Sequence, residues 1–197
     1  QPARSQDPKG KWRMNAQIEI DSIVRSITEK YSRAEFEAGD QLFAKNIKFL
    51  AESIRLECQG NRFFYKRQLQ ESVDCYEAAI RLSEDRVIPR YQYLVGVQEE
   101  SEGNIIEAFK RYQEAIHAEP TFVDPYVELG ALLVKADDYE GAAQCYRDAV
   151  RIEPDEVMNY LNLQAVLKHL SSGEPERYKD ELEAVEAASA KLTKDRG

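Results

Sequence analysis

The chain is poor in the residues that carry most catalytic and metal chemistry. Its 197 residues include two histidines, three cysteines and one tryptophan. Neither His117 nor His169 has a second histidine or a cysteine at metal-ligand spacing, and neither HExxH nor CxxC occurs. Glycine-rich phosphate loops and the nucleophile pattern GxSxG are missing as well. The sequence therefore predicts no enzyme, no cofactor and no metal site.

Composition excludes several further classes of protein. Nine glycines and seven prolines are too few for a β-rich chain with many tight turns. No run of 18 apolar residues occurs, so the sequence predicts no membrane span. Acidic residues outnumber basic ones by 36 to 27, which gives a formal net charge of −9. Nucleic-acid binders normally carry the opposite sign, because phosphate contacts supply much of their affinity, so nucleic acid is not an expected partner.

The cysteines indicate a reducing compartment. Cys58, Cys75 and Cys145 are an odd number of residues without motif-like spacing. Secreted domains of this size usually hold an even set of disulfide cysteines. Free thiols are therefore the better expectation, and they favour the cytoplasm.

Basic residues cluster only at the N-terminus, where Arg4, Lys9, Lys11 and Arg13 oppose a single acid. The segment has no apolar period, and we interpret residues 1–14 as a disordered leader. The alternative is a basic segment next to a membrane anchor. In that case the chain would be the soluble regulatory part of a larger membrane-anchored protein.

A repeat of 34 residues organises the middle of the chain. When the segment 89–122 is shifted by 34 residues onto 123–156, six identical residues coincide. The pairs are Gly96 with Gly130, Ala108 with Ala142, Tyr112 with Tyr146, Ala115 with Ala149, Glu119 with Glu153, and Pro120 with Pro154. Small, aromatic and helix-breaking residues dominate this set, which is typical of helical hairpins stacked side by side.

This pattern resembles the tetratricopeptide repeat, a 34-residue helix–turn–helix unit. The second copy matches it most fully, with Tyr126, Leu129, Gly130, Leu133, Tyr139, Ala142, Tyr146, Ala149 and Pro154 in the expected order. Weaker copies lie upstream, around Gly60 and Tyr76, and downstream, where Gln164 replaces the usual glycine. The resemblance covers residues 53–170 and implies an all-α superhelix of about three to four hairpins. The glycines would let paired helices approach, with Ala108 and Ala142 filling the matching place.

Both ends of such an array need a cap. At the C-terminus, Tyr178, Leu182, Val185 and Leu192 form an apolar stripe at helical spacing. We interpret residues 174–193 as a capping helix, with exchange of this helix between neighbouring chains as the alternative.

Residues 15–52 do not fit the repeat pattern. Apolar spacing predicts a helix over about residues 16–32, a break at Gly39 and Asp40, and a second stripe from Phe43 that runs unbroken into the first repeat helix. This segment is either an N-terminal cap or a second contact surface. A third interpretation is that it covers the apolar surface of the array.

By resemblance to the family, the fifth, ninth and twelfth residues of each unit project into a concave groove. They are Glu57, Asn61, Phe64, Tyr93, Val97, Glu100, Val127, Ala131, Val134, Leu161, Ala165 and Lys168. Family members that grip chaperone tails present basic and amide residues, but the corresponding places here hold Glu57, Asn61, Leu94, Asp124 and Glu128. Those acids would repel a carboxylate tail.

The resemblance therefore implies an adaptor or scaffold that holds a peptide or helical segment of a protein partner in the groove. An apolar groove suits a segment with apolar anchors, and basic residues in it would complement Asp124 and Glu128. The alternative from another class is a structural subunit that self-associates into a homo-oligomer.

Overall fold

The computed structural model describes residues 8–47, 50–83 and 87–195, and the side chains between residues 19 and 194 within them. In these ranges the secondary structure is helical, and it consists of α-helices except at Ile47, which is in 3₁₀ conformation; the resemblance implied an all-α fold. The chain divides into two compact units, Gln1–Arg86 and Val87–Gly197. No helix in the described ranges combines the length and the apolarity that crossing a bilayer requires.

Within the described residues, unit 1 holds four α-helices and unit 2 holds six. Those of unit 1 are α1 (Pro8–Ser32), α2 (Phe36–Asn46), α3 (Glu52–Tyr65) and α4 (Leu69–Leu82). Those of unit 2 are α5 (Pro89–Ser101), α6 (Ile105–Ala118), α7 (Asp124–Lys135), α8 (Tyr139–Ile152), α9 (Val157–Gly173) and α10 (Pro175–Asp195). The helix expected over residues 16–32 thus begins at Pro8, inside the segment interpreted as a leader, of which residues 1–7 lie outside the described residues.

Four of the hairpin turns share one backbone conformation. In each, a single residue adopts a left-handed φ: Ala34 (59°), Arg67 (61°), Gly103 (85°) and Asp137 (60°). The amide that follows it donates to a carbonyl five residues earlier, as Glu35 does to Lys30 at 2.9 Å. This is the Schellman ending of a helix, which satisfies carbonyls that the helix leaves open.

Glycine lies against tyrosine where the helices of a hairpin cross. A Cβ atom on Gly130 would lie 2.8 Å from Cε1 of Tyr146, and one on Gly96 would lie 2.6 Å from Cε1 of Tyr112. The close approach expected at the glycines is therefore present. The tyrosine ring is the nearest neighbour of the glycine at this crossing, and Ala142 is buried in the same cluster as Tyr146.

The break predicted at Gly39 and Asp40 is wrong. Both residues lie inside α2, and the chain turns at Ala34 instead. A Cβ atom on Gly39 would lie 2.4 Å from Cε1 of Tyr31, so this glycine permits a helix crossing. Asp40 accepts a hydrogen bond from the Tyr31 hydroxyl (3.1 Å) and two from Arg62 of α3 (2.6 and 2.7 Å). Asp40 therefore joins three helices.

The α1–α2 hairpin packs on the first helix of the first repeat. Val24 and Ile27 of α1 form one buried cluster with Leu50, Ile54 and Cys58. The stripe expected to run unbroken into α3 is interrupted, because α2 ends at Asn46 and α3 begins at Glu52. Leu50, which precedes α3, is buried.

Helix α10 closes the C-terminal end of unit 2. Tyr178 and Val185 are buried in the same cluster as Leu163 of α9. Glu181 of α10 accepts two hydrogen bonds from Arg147 of α8, at 2.6 and 2.9 Å. The apolar stripe expected for a cap thus packs against the last repeat helices of the same chain.

Candidate functional site

The first helix of each hairpin in unit 2 carries the groove positions that the resemblance implied. Residues spaced by three and four positions share a helix face. On α5, α7 and α9 this face comprises Tyr93, Val97, Glu100, Asp124, Val127, Glu128, Ala131, Val134, Met158, Leu161, Ala165 and Lys168. We call it the first-helix face. The opposite side of α7, with Leu129 and Leu132, is buried against α6 and α8.

Three large apolar side chains on the first-helix face are exposed. Val97 is 39% exposed, Leu161 is 41% exposed and Met158 is 57% exposed. Met158 was missed from the sequence, although its spacing of three residues from Leu161 places both on one face of α9. Exposed apolar side chains gathered on one face are a mark of interaction surfaces.

Other apolar members of the first-helix face pack partly against the core. The ring of Tyr93 packs against Tyr112 and Phe122, with centroids 6.1 and 5.5 Å apart. Val127 and Val134 are half-buried and pack against the core cluster of α8 and α9. Tyr93, Val127 and Val134 are therefore half-buried members of the first-helix face. Val97, Met158 and Leu161 are its exposed apolar members.

Two charged members of the face are engaged within unit 2. Glu100 accepts a hydrogen bond from the Tyr112 hydroxyl at 3.0 Å and another from Lys135 at 2.6 Å. Lys168 forms an ion pair with Glu186 of α10 at 2.9 Å. Both side chains therefore hold helices together.

Glu128 is in a different situation. Its carboxylate makes neither a hydrogen bond nor an ion pair with residues that the structure describes. Its pKa lies above the ordinary 4.5, first because burial desolvates the carboxylate, then because Glu100 and Asp124 carry the same charge, with Lys135 acting in the opposite direction. The first-helix face thus holds a half-buried acid beside two other acids.

The groove residues expected in unit 1 do not line an open surface. Asn61 is only 2% exposed, and Glu57 and Phe64 are buried as well. Asn61 donates to Oγ1 of Thr28 on α1 at 2.9 Å and accepts from the Tyr76 hydroxyl at 2.7 Å. Because α1 packs on α3, this part of the predicted groove is closed. We therefore leave these three residues out of the candidate surface.

The described part of the chain holds no group of three metal-ligating side chains. His169 stacks on Tyr139, with ring centroids 3.6 Å apart. Burial raises the pKa of the Cys145 thiol to about 11, followed in effect by the charges of Asp148 and Asp138, so this cysteine is a poor nucleophile at neutral pH.

The sequence model of the tetratricopeptide repeat family matches residues 101–167. A search of curated proteins finds no match. A crystal structure of MamA aligns with a TM-score of 0.51 at 15% identity, covering 85% of this chain and 94% of that chain.

Two other solved structures are similar over a shorter part of this chain. The first tetratricopeptide repeat domain of Spaghetti (RPAP3), bound to the HSP90 peptide SRMEEVD, aligns with a TM-score of 0.45 at 18% identity, covering 61% of this chain and 94% of that chain. The Sgt2 domain from Aspergillus fumigatus gives 0.45 at 18% identity, covering 64% and 83%. At its low identity the MamA structure bears on the fold alone. Residues 101–167 are thus a tetratricopeptide-repeat segment by their sequence match, and the helical-hairpin fold around them is that of the MamA structure.

Proposed function

We propose that this protein-interaction module holds a segment of a protein partner on the first-helix face of unit 2. Apolar side chains of the partner would pack on Val97, Met158 and Leu161, and basic side chains would complement Asp124 and Glu128. The observation that carries the proposal is the exposure of large apolar side chains on α5 and α9, on the face that also holds the acids of α7.

The size of the apolar contribution suits a short segment. Full burial of one Val, Leu or Met side chain stabilises a complex by about 1.5–3 kcal/mol. Association and ordering of the partner oppose this gain. A net affinity on the order of micromolar, about −8 kcal/mol, is therefore expected.

The acidic residues oppose a chaperone-type carboxylate tail as the partner. Asp124 and Glu128 stand where such domains carry groups that attract a carboxylate. Asn61, the residue that fitted that pattern, already holds Thr28 and Tyr76 in the interior of unit 1. A basic and apolar segment suits the charge of the face better than an acidic one.

A second candidate function is self-association through another surface. Ile105 and Ile106 begin α6, and Ile106 is 88% exposed. An exposed pair of isoleucines next to a turn favours contact with a second copy. Sedimentation equilibrium tests this: a mass that rises with concentration and falls to the monomer in Ile105→Gln/Ile106→Gln supports it.

The three cysteines support a reducing compartment as the working place of the protein. Cys58 is buried, Cys75 and Cys145 are half-buried, and all three thiols are free. We propose the cytoplasm on this ground. Fractionation of cells that express the natural protein tests the location, including the alternative of a membrane-anchored parent protein.

Selection of peptides from a random 16-residue phage-display library tests the main proposal. The double variant Val97→Gln/Leu161→Gln removes two apolar contacts without changing charge. The variant Ile105→Gln/Ile106→Gln replaces two other exposed apolar residues, on α6, by glutamine in the same way and is the control. Both variants must first show the circular dichroism and melting temperature of the native chain.

Peptides enriched on the native chain and on the control, but at least about tenfold weaker on Val97→Gln/Leu161→Gln, support the proposal. Equal binding of the peptides to both variants would mean that the binding site lies outside the first-helix face. Absence of any enriched peptide would contradict the proposed function as a whole.

A further inference from the structure

Two acids of the first-helix face, close enough for their charges to interact, differ in what they contact. Both carboxylate oxygens of Glu100 accept hydrogen bonds, one from Tyr112 and one from Lys135. Glu128 faces the charges of Glu100 and Asp124, and it makes no hydrogen bond or ion pair with a described residue. A half-buried carboxylate in such surroundings is stabilised by an added cation.

The preceding hairpin shows how a cation satisfies an acid in this unit. Arg90 is 4% exposed and forms a two-pronged ion pair with Glu119, with Nη2 at 2.8 Å from Oε1. One repeat later, 34 residues on, Asp124 stands in place of Arg90, while Glu153 stands in place of Glu119. One basic and one acidic residue at this place are therefore replaced by two acidic residues in the hairpin that carries Glu128.

The apolar residues beside Glu128 favour a long basic side chain over a metal ion as a cation at this carboxylate. No metal-ligating group of three side chains occurs in the described residues. Ala131 lies one helical turn beyond Glu128, and Val127 is its neighbour in sequence. The aliphatic stem of a long basic side chain packs on such apolar positions while its charged end reaches the carboxylate.

We propose that an arginine or lysine of the partner segment binds Glu128, between the apolar anchors that pack on Val97 and on Leu161. This proposal rests on the proposed function, since it adds a charged contact to the same face. It makes Glu128 the residue that selects basic over neutral or acidic segments. Glu100 does not take this role, because its oxygens are already occupied within unit 2.

The variant Glu128→Gln distinguishes a binding role of Glu128 from a structural role. Replacement of Glu128 by the isosteric glutamine removes an ionised group that destabilises the fold, so the chain becomes at least as stable. The same replacement removes the contact to the partner's cation, so binding weakens. Stability and binding therefore change in opposite directions in a single variant.

Selection from a random 12-residue phage-display library on charge-reversed proteins tests the proposal. Glu128→Lys reverses the charge on the first-helix face, and Glu183→Lys reverses an exposed acid on α10 as the matched control. The native chain and Glu183→Lys are expected to enrich peptides with a basic residue between apolar residues. Glu128→Lys is expected to lose that preference and to enrich acidic residues at the same place.

The size of the charged contact is measured by titrating the protein with one selected peptide and, separately, with an analogue in which citrulline replaces the arginine. Citrulline has the shape of arginine without its charge. On the native chain we expect binding of the analogue to be about tenfold weaker, the size of one charged contact. On Glu128→Gln the arginine and citrulline peptides are expected to bind equally. The four affinities form a double-mutant cycle that isolates the interaction between Glu128 and the arginine.

The outcomes distinguish this proposal from the proposed function. If the native chain selects apolar peptides that Val97→Gln/Leu161→Gln loses, without an excess of basic residues, the role of Glu128 is overturned while the binding face stands. A basic preference that survives in Glu128→Lys also overturns it. If no peptide is selected, both proposals fail together.

Discussion

Asn61 of α3 donates a buried hydrogen bond to Oγ1 of Thr28 on α1, at 2.9 Å. The same Asn61 side chain accepts from the Tyr76 hydroxyl on α4 at 2.7 Å. One amide thus links three helices of unit 1 in the interior, where an unsatisfied polar group is costly.

Asn61→Ala is expected to destabilise unit 1 by about 2–4 kcal/mol, because the buried hydrogen bonds that Asn61 makes with Thr28 and with Tyr76 are both lost. Hydrogen exchange followed by mass spectrometry measures this locally, as faster exchange in α1, α3 and α4. Exchange in α7 is expected to stay unchanged. Native exchange rates throughout unit 1 would contradict the role of this contact.

Gly130→Ala is expected to destabilise unit 2 by about 1–3 kcal/mol, because the new methyl group meets the ring of Tyr146 at 2.8 Å. The matched control is Gly173→Ala, in the last turn of α9, where an added Cβ meets nothing within 4 Å. Alanine at this control position should leave stability unchanged or raise it by up to about 1 kcal/mol. Chemical denaturation compares the two variants, and equal midpoints would count against the close helix crossing.

The ion pair of Arg90 and Glu119 gives a further prediction. Glu119→Ala leaves a guanidinium at 4% exposure without its carboxylate, and the expected loss of stability is about 3 kcal/mol. The double variant Arg90→Met/Glu119→Leu removes both charges and is expected to recover most of that loss. Denaturation midpoints of the native chain and the two variants measure this. A double variant no more stable than the single one would mean that the pair contributes through packing alone.

The sequence predicted the repeated hairpins well, because their spacing depends on local residues such as Gly130, Tyr146 and Pro154. It failed at the N-terminal hairpin for a physical reason. The residue that adopts the left-handed turn there is Ala34, which carries no turn signal, while Gly39 serves a helix crossing with Tyr31.

The candidate surface was predicted in part. Val97 and Leu161 are exposed on the faces that the resemblance implied, and Met158 belongs with them by helical spacing. The packing of α1 on the predicted groove residues of α3 could not be predicted, because the hydrogen bond between Asn61 and Thr28 joins residues 33 positions apart. Likewise, the sequence does not show that Lys135 engages Glu100 while leaving Glu128 without a pair.

Glu128 predicts a dependence of stability on pH. The fold raises the pKa of this carboxyl, so its ionised form destabilises the folded state. The cost is absent below the ordinary pKa of 4.5, grows as the pH rises from that value through the raised one, and is complete above it. The groups that interact with this carboxyl are Glu100, Asp124, Lys135, Tyr112 and Tyr146.

Glu128→Gln should therefore melt at a higher temperature than the native chain at pH 7.5, and the difference should shrink as the pH approaches 4.5. Differential scanning calorimetry at a series of pH values measures this. Glu183→Gln makes the same replacement at an exposed position on α10 and is the control against which the trend of Glu128→Gln is read. A difference that grows toward acidic pH would contradict the raised pKa.

The most direct measurement of the central claim is photo-crosslinking from defined positions to a peptide selected on the native chain. A benzophenone amino acid replaces Leu161 on the first-helix face in one protein and the more exposed Ile106 on α6 in another. We predict a covalent adduct from position 161, competed by unlabelled peptide, and none from position 106. An adduct from position 106 with none from position 161 would contradict binding on the first-helix face.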